Sequence, residues 1–164
     1  NKLNEIDFNN SKDKQLFGDI YEQILKDLQS AGNAGEYYTP RAVTQFMVDM
    51  IKPRLGERIL DTACGTGGFL TCTLEYLKKQ VKTVEDKEKL QRFIVGVEKK
   101  PLPHLLCITN MLLHEVEVPE ILHDNTLARP LRDYKPHEKV DVIVTNPPFG
   151  GKEEDGIESK FPGA

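Results

Sequence analysis

The sequence predicts an α/β protein built on a mostly parallel sheet with helices on both faces. Three observations carry this. From Arg58 onward, short apolar runs that read as strands alternate with helical patterns, the mark of successive strand–helix–strand units. A glycine-rich turn, Asp61 to Phe69, joins the first of these strands to the helix after it. A polar residue closes each strand: Asp61, Glu98, the Asp124-Asn125 pair and Asn146. Sheets of this kind bind ligands beyond the carboxyl ends of their strands, so these residues form the candidate site.

The elements follow in order. Phe17, Ile20, Ile24, Leu25 and Leu28 recur at helical spacing and predict an amphipathic first helix, broken between Gly32 and Gly35. Thr39-Pro40 predicts an N-cap with proline at the first helical position. Val43, Phe46, Met47, Met50 and Ile51 then form an apolar face, read as core packing, and Pro53 and Gly56 end that helix. Ile59-Leu60 is a short strand running into Asp61. Phe69, Leu70, Leu74 and Leu77 share a face of the next helix. The charged stretch from Lys78 to Arg92 reads as a solvated helix end and loop. Phe93 to Val97 is a second strand, closed by Glu98. Leu105, Ile108 and Leu112 mark a helix opened by Pro101 and Pro103. Ile121-Leu122 is a third strand, and Val140 to Thr145 a fourth that reads as buried. So apolar a strand should not stand as a bare edge, so a longer protein is expected to supply strands beside it. The expected division is a helical segment over 1–34, a partial core over 35–151, and an acidic loop or tail over 152–164.

The bulk properties narrow the classes. A length of 164 residues, 38% hydrophobic and 29% charged, suits about one soluble domain. The net charge of −4 argues against a domain that holds nucleic acid unaided, because such domains carry a basic stripe. Lys152 and Lys160, set in an acidic tail, make no such patch. The three cysteines form no CxxC pair, and their odd number argues against a disulfide framework and fits a reducing cytoplasm. The four histidines show no metal-ligand spacing and read as surface or helix-end residues. No signal peptide or membrane span is apparent.

Two motifs carry chemistry. The turn Asp61-Thr62-Ala63-Cys64-Gly65-Thr66-Gly67-Gly68-Phe69 lets a ligand approach the backbone closely. It is neither a GxxxxGK[ST] phosphate loop nor a full GxGxxG. An acid before the glycines suits a cationic, donor-rich ligand such as S-adenosylmethionine better than a diphosphate. Glu98 can accept both ribose hydroxyls. Glu85 and Asp86 are its rivals by spacing, though neither follows an apolar strand. Cys64, inside the turn, reads either as a redox-sensitive site or as a small packing residue. The second motif is Asn146-Pro147-Pro148-Phe149. The Asn146 side-chain oxygen and the Pro147 carbonyl can each accept a hydrogen of a planar amine, freeing its lone pair for an incoming methyl. The prolines aim these groups rigidly, and Phe149 offers a face for stacking an extruded base.

Together Asp61 to Phe69 and Asn146 to Phe149 resemble a class I S-adenosylmethionine-dependent methyltransferase with a Rossmann-like sheet. Gly35-Glu36-Tyr37-Tyr38-Thr39-Pro40-Arg41, placed before the glycine turn, narrows the resemblance. The three motifs in this order are similar to the modification subunit of type I restriction-modification systems, among the N6-adenine DNA methyltransferases, from about Gly18 to Gly151. The resemblance implies that Glu36, Tyr37 and Thr39 help hold the methionine portion of the cofactor. Asp61, Gly65 and Gly67 would form the cofactor loop, and Glu98 would bind the ribose. Either Asp124 or Asn125 would contact the cofactor adenine, since this chain has Asp124-Asn125-Thr126-Leu127 where the family often has an acid just before a Ser/Thr-Leu pair. Asn146, Pro147 and Phe149 match the catalytic motif.

The implied function is transfer of a methyl group from S-adenosylmethionine to adenine N6 of DNA, without a metal or covalent intermediate. The implied partners are DNA, a specificity subunit and a restriction subunit, with a cytoplasmic setting and no membrane. The alternatives are methylation of cytosine N4, of RNA or of a protein glutamine, or a cofactor-binding subunit without turnover.

Overall fold

The structure is a computed structural model that describes residues 39–150, together with Gly18, Ile20, Tyr21, Gln23, Ile24, Glu153, Asp155, Gly156, Ile157 and Lys160. The chain divides into two compact units, Asn1–Tyr38 and Thr39–Ala164. In the first, the five described residues are helical. Tyr21 is buried while Ile20 and Ile24 are exposed, so Ile20 and Ile24 do not form a buried face as expected. Phe17, Leu25, Leu28 and the Gly32–Gly35 break lie outside the described residues, as do Glu36, Tyr37 and Lys152.

The second unit runs α1 (Arg41–Ile51), β1 (Ile59–Asp61), α2 (Gly68–Lys78), α3 (Val84–Arg92), β2 (Ile94–Glu98), α4 (Pro101–Leu113), β3 (Glu120–His123), three short 3₁₀ turns, and β4 (Val142–Ile143). The strands form one parallel sheet in the order β3-β2-β1-β4. The chain walks outward from β1 to β3, then returns to the far side of β1. That reversal puts a topological switch point between the carboxyl ends of β1 and β4, where open α/β sheets bind ligands. The ends of β1, β2, β3 and β4 bring Asp61, Glu98, Asp124 and Asn146 to this one edge.

The core is laid down by α2. Phe69, Leu70, Leu74 and Leu77 are all buried, as their spacing predicts. Each such side chain contributes about 1.5–3 kcal/mol by leaving water. Ile59, Ile94 and Ile121 come in from β1, β2 and β3, Val144 from just after β4, and Cys107 and Met111 from α4.

Four expectations are corrected. The stretch after Lys78 is not simply loop: α3 forms over Val84–Arg92, opened by a capping box in which Asp86 N donates to Thr83 Oγ1 and Asp86 Oδ2 accepts from Thr83 N. Leu90 alone is buried on it, which is why the apolar pattern missed a largely charged helix. In α1, Val43, Phe46, Met50 and Ile51 are exposed, whereas Thr44 and Val48 are buried. The helix instead docks on α2 through the contact of Thr44 Oγ1 with Cys72 Sγ (3.2 Å) and a two-pronged Arg41–Glu75 pair. In α4, Leu105 and Leu112 are exposed, and Pro103, Cys107, Asn110 and Met111 face inward. Finally, β4 is shorter than expected and lies at the sheet edge. Val144 is buried and its amide bonds Leu60 O at 3.0 Å, but Ile143 is 55% exposed, and no described strand pairs on the outer side of β4.

The 3₁₀ segment is organised by Arg129, whose guanidinium pairs with both oxygens of Glu138, donates to Asp133 O and lies over the Tyr134 ring. Beyond Gly150, Ile157 is buried and Glu153 meets Lys99 and Asn125, so part of the expected tail packs on this unit. Lys160 donates to Ala128 O. Among the described residues, no helix is long and apolar enough to cross a membrane.

Candidate active site

The glycine turn is held from both sides. Asp61 ends β1 with its carboxyl buried, and Ala63 N donates to Oδ1 at 3.1 Å. Burial raises its pKa to about 6. The bonds from Ala63 and the Thr145 hydroxyl hold it down, and the charge of Glu98 pushes it up. Such an acid is charged at neutral pH only at a cost, so a cation beside it would be strongly favoured.

Gly65 and Gly67 both have positive φ, 55° and 88°, but they are needed for different reasons. A Cβ on Gly67 would lie 2.9 Å from Cys107 Sγ, so this glycine lets α2 pack against α4. A Cβ on Gly65 would meet nothing within 4 Å, so the backbone there is open to a ligand. From α4, Asn110 Nδ2 donates to Thr66 O at 2.9 Å and supports the turn.

Glu98 closes β2. Its Oε2 accepts from Gly65 N at 2.9 Å and its Oε1 from Lys100 N at 2.7 Å. The rivals are otherwise engaged: Asp86 in its capping box, Glu85 in an ion pair with Lys89. Asn125 is also committed at both ends of its amide. Its Oδ1 caps the Thr126 turn by accepting from Leu127 N, and its Nδ2 donates to Glu153. Asp124 Oδ1 accepts from Asn125 N at 2.7 Å, which leaves its second oxygen to serve as an acceptor.

Asn146 is half-buried, while Pro147, Pro148 and Phe149 are exposed, Phe149 by 83%. Asn146 Nδ2 donates to Thr39 Oγ1 at 3.0 Å across 107 positions of sequence. Thr39 therefore does not cap α1. The helix begins after Pro40, whose carbonyl accepts from Val43 N and Thr44 N, and there is no side-chain cap. Thr145, one residue earlier in the motif, accepts from the Thr62 hydroxyl at 3.1 Å, and the Thr126 hydroxyl bonds Thr62 O at 2.7 Å. Residue-by-residue reading of the sequence missed Thr62, Thr126 and Thr145. Their hydroxyls join the glycine turn, the third strand's exit and the Asn146 motif, and the adjacency of Thr145 to Asn146 was the one available signal.

Cys64 is buried. A hydrogen bond with the Cys107 thiol, and burial, push its own thiol upward, so it stays protonated and packs rather than reacts. Among the described residues, no group of three or more His, Cys, Asp and Glu side chains is placed to hold a metal ion. His104 and His123 stack on each other, and His114 ends α4.

A parallel sheet with a buried acid at the first strand end, an acid closing the second, and an amide-proline motif across the switch point defines the class I S-adenosylmethionine-dependent methyltransferase fold. The model of the family described as N-6 DNA Methylase matches residues 12–162, and the chain belongs to that family. It is 69% identical to the type I restriction enzyme EcoEI methylase subunit of Escherichia coli, over 99% of this chain and 33% of that relative. In structure it is similar to a modification subunit assigned to a type I restriction enzyme from Vibrio vulnificus YJ016, with TM-score 0.84 and 51% identity over 99% of this chain and 34% of that one. It is also similar to a chain from the type I R-M system solved to explain complex assembly and conformational transition, with TM-score 0.87 and 43% identity over 98% of this chain and 33% of that one. The chain thus spans about a third of the length of these relatives.

Proposed function

We propose that the full protein is the modification subunit of a type I restriction-modification system and methylates adenine N6 in DNA. In this reading it works in the cytoplasm with a specificity subunit that reads the sequence and a restriction subunit that cleaves unmodified DNA. The observation that carries the reading is the place of Asn146. It stands at the switch point, one residue after a threonine whose hydroxyl bonds the cofactor turn.

The residues fit the cofactor. Asp61 offers a buried carboxylate for a cation, Gly65 an open backbone face, Glu98 a carboxylate for a diol, and Asp124 an acceptor for an amino group. By resemblance, Glu36 and Tyr37 are further proposed cofactor-binding residues. S-adenosylmethionine, when bound, supplies an electrophilic methyl group. The chain's own residues prepare the acceptor. Asn146 Oδ1 and Pro147 O accept the two amine hydrogens and draw the nitrogen out of conjugation with the ring. The exposed ring of Phe149 stacks on the extruded base. Held in this geometry, the nitrogen would be placed to attack the methyl carbon in line as the carbon–sulfur bond breaks and the neutral thioether leaves. The methylated nitrogen would then lose one proton, with no covalent enzyme intermediate. Over 35–151 the chain supplies the cofactor half and the catalytic motif. The net charge of −4 fits a subunit that leaves much of the phosphate contact to its partners.

A transfer assay with labelled cofactor tests this, using the full-length protein reconstituted with its specificity subunit. Label appearing in unmodified duplex DNA is the expected result. Label in RNA or protein instead, or in nothing despite cofactor binding, contradicts it.

A further inference from the structure

We propose that Thr39 is a positioning residue for Asn146: its hydroxyl takes the amide nitrogen and so turns the amide oxygen toward the amine. This rests on the function proposed above and deepens it.

An asparagine amide can face either way, and only one way serves. Its oxygen must meet the amine, so its nitrogen must be held elsewhere. In this structure Asn146 Nδ2 is 3.0 Å from Thr39 Oγ1 and donates to it. Both partners are held by the fold. Thr39 precedes a helix fastened to α2 through Arg41–Glu75 and Thr44–Cys72. Asn146 follows Val144, whose amide is bonded to β1.

A hydroxyl has one hydrogen to donate and two lone pairs. Were its hydrogen turned toward Asn146, the amide oxygen would be the bonded end and would serve the amine poorly. In the structure the amide nitrogen is the bonded end, so the amide oxygen is left to face the amine.

The test separates this role from simple cofactor holding. The full-length protein with its specificity subunit is assayed for single-turnover methyl transfer at saturating S-adenosylmethionine and DNA, alongside cofactor dissociation constants. Thr39→Val should slow the saturated rate about ten-fold or more, beyond any loss of affinity. Thr39→Ser, which restores the hydroxyl, should stay within about three-fold of wild type. If Thr39→Val does not fold, Thr39→Ala carries the same expectation. A Thr39→Val protein that binds cofactor weakly yet reacts at the wild-type rate when saturated overturns the proposal. So does a Thr39→Ser protein as slow as Thr39→Val. A wild-type protein that transfers no methyl group would instead sink the proposed function, and this inference with it.

Discussion

Glu98 Oε2 accepts a hydrogen bond from Gly65 N at 2.9 Å, so the acid that closes β2 also holds the glycine turn after β1. One carboxylate thus sets the shape of the turn, and the same carboxylate is the proposed acceptor for the cofactor's ribose. Glu98→Gln keeps an acceptor for Gly65 but loses the charge, and should weaken cofactor binding by about ten-fold. Glu98→Ala releases the turn as well and should weaken it further. Isothermal titration with S-adenosylmethionine orders the three proteins, and an unchanged affinity in Glu98→Ala would move the ribose site elsewhere.

Asp61 should trade stability for binding. Its pKa in the fold, about 6, lies above the ordinary 3.8, so between these values the folded protein holds more protons than the unfolded chain. Stability therefore falls as pH rises through that window, by about 3 kcal/mol once the carboxyl is ionised. Asp61→Asn removes this cost and should raise the melting temperature at pH 7.5, while weakening S-adenosylmethionine binding by roughly ten- to a hundred-fold. Wild-type affinity should also drop as pH is lowered below about 6, and the mutant should lose that dependence. Parallel affinity–pH profiles for the two proteins would count against Asp61 as the cation's partner.

The two positive-φ glycines should separate in their effects. Gly67→Ala meets Cys107 Sγ and a left-handed backbone together, and should destabilise the fold by roughly 2–4 kcal/mol. Gly65→Ala has only the backbone cost, about 1–2 kcal/mol, but its methyl enters the open side of the turn. Its larger effect should be on cofactor affinity. Thermal melts paired with titrations distinguish them, and equal destabilisation by both would contradict the assignment.

Helix α3 should be dispensable for chemistry. Thr83→Ala breaks the capping box and should cost about 1 kcal/mol, with cofactor affinity unchanged. A large affinity loss in Asp86→Ala would revive it as a rival to Glu98.

The placement of the candidate site residues was more legible than the packing. Glycines in a turn, acids at strand ends and an amide-proline motif each have a local chemical reason, so the gathering of Asp61, Glu98 and Asn146 at one end of the sheet could be expected from sequence. Helix faces were harder. In α1 and α4 the inward residues include Thr44, Cys107 and Asn110, small or polar side chains chosen for fit against α2 and the glycine turn. Apolar spacing points instead at Phe46, Met50, Leu105 and Leu112, which are exposed. Helix α3 carries a readable cap at Thr83 and Asp86 but almost no apolar stripe. The bond from Asn146 to Thr39 joins residues 107 positions apart and has no local signature at all.

Asn146 is proposed to polarise an adenine amine. Nucleoside mass spectrometry of DNA from a methylation-free host tests it most directly, with the full reading frame expressed beside its specificity subunit. N6-methyladenine should appear with the wild-type protein and fall at least about a hundred-fold with Asn146→Ala. A folded Asn146→Ala protein that methylates within a few-fold of wild type would contradict the mechanism.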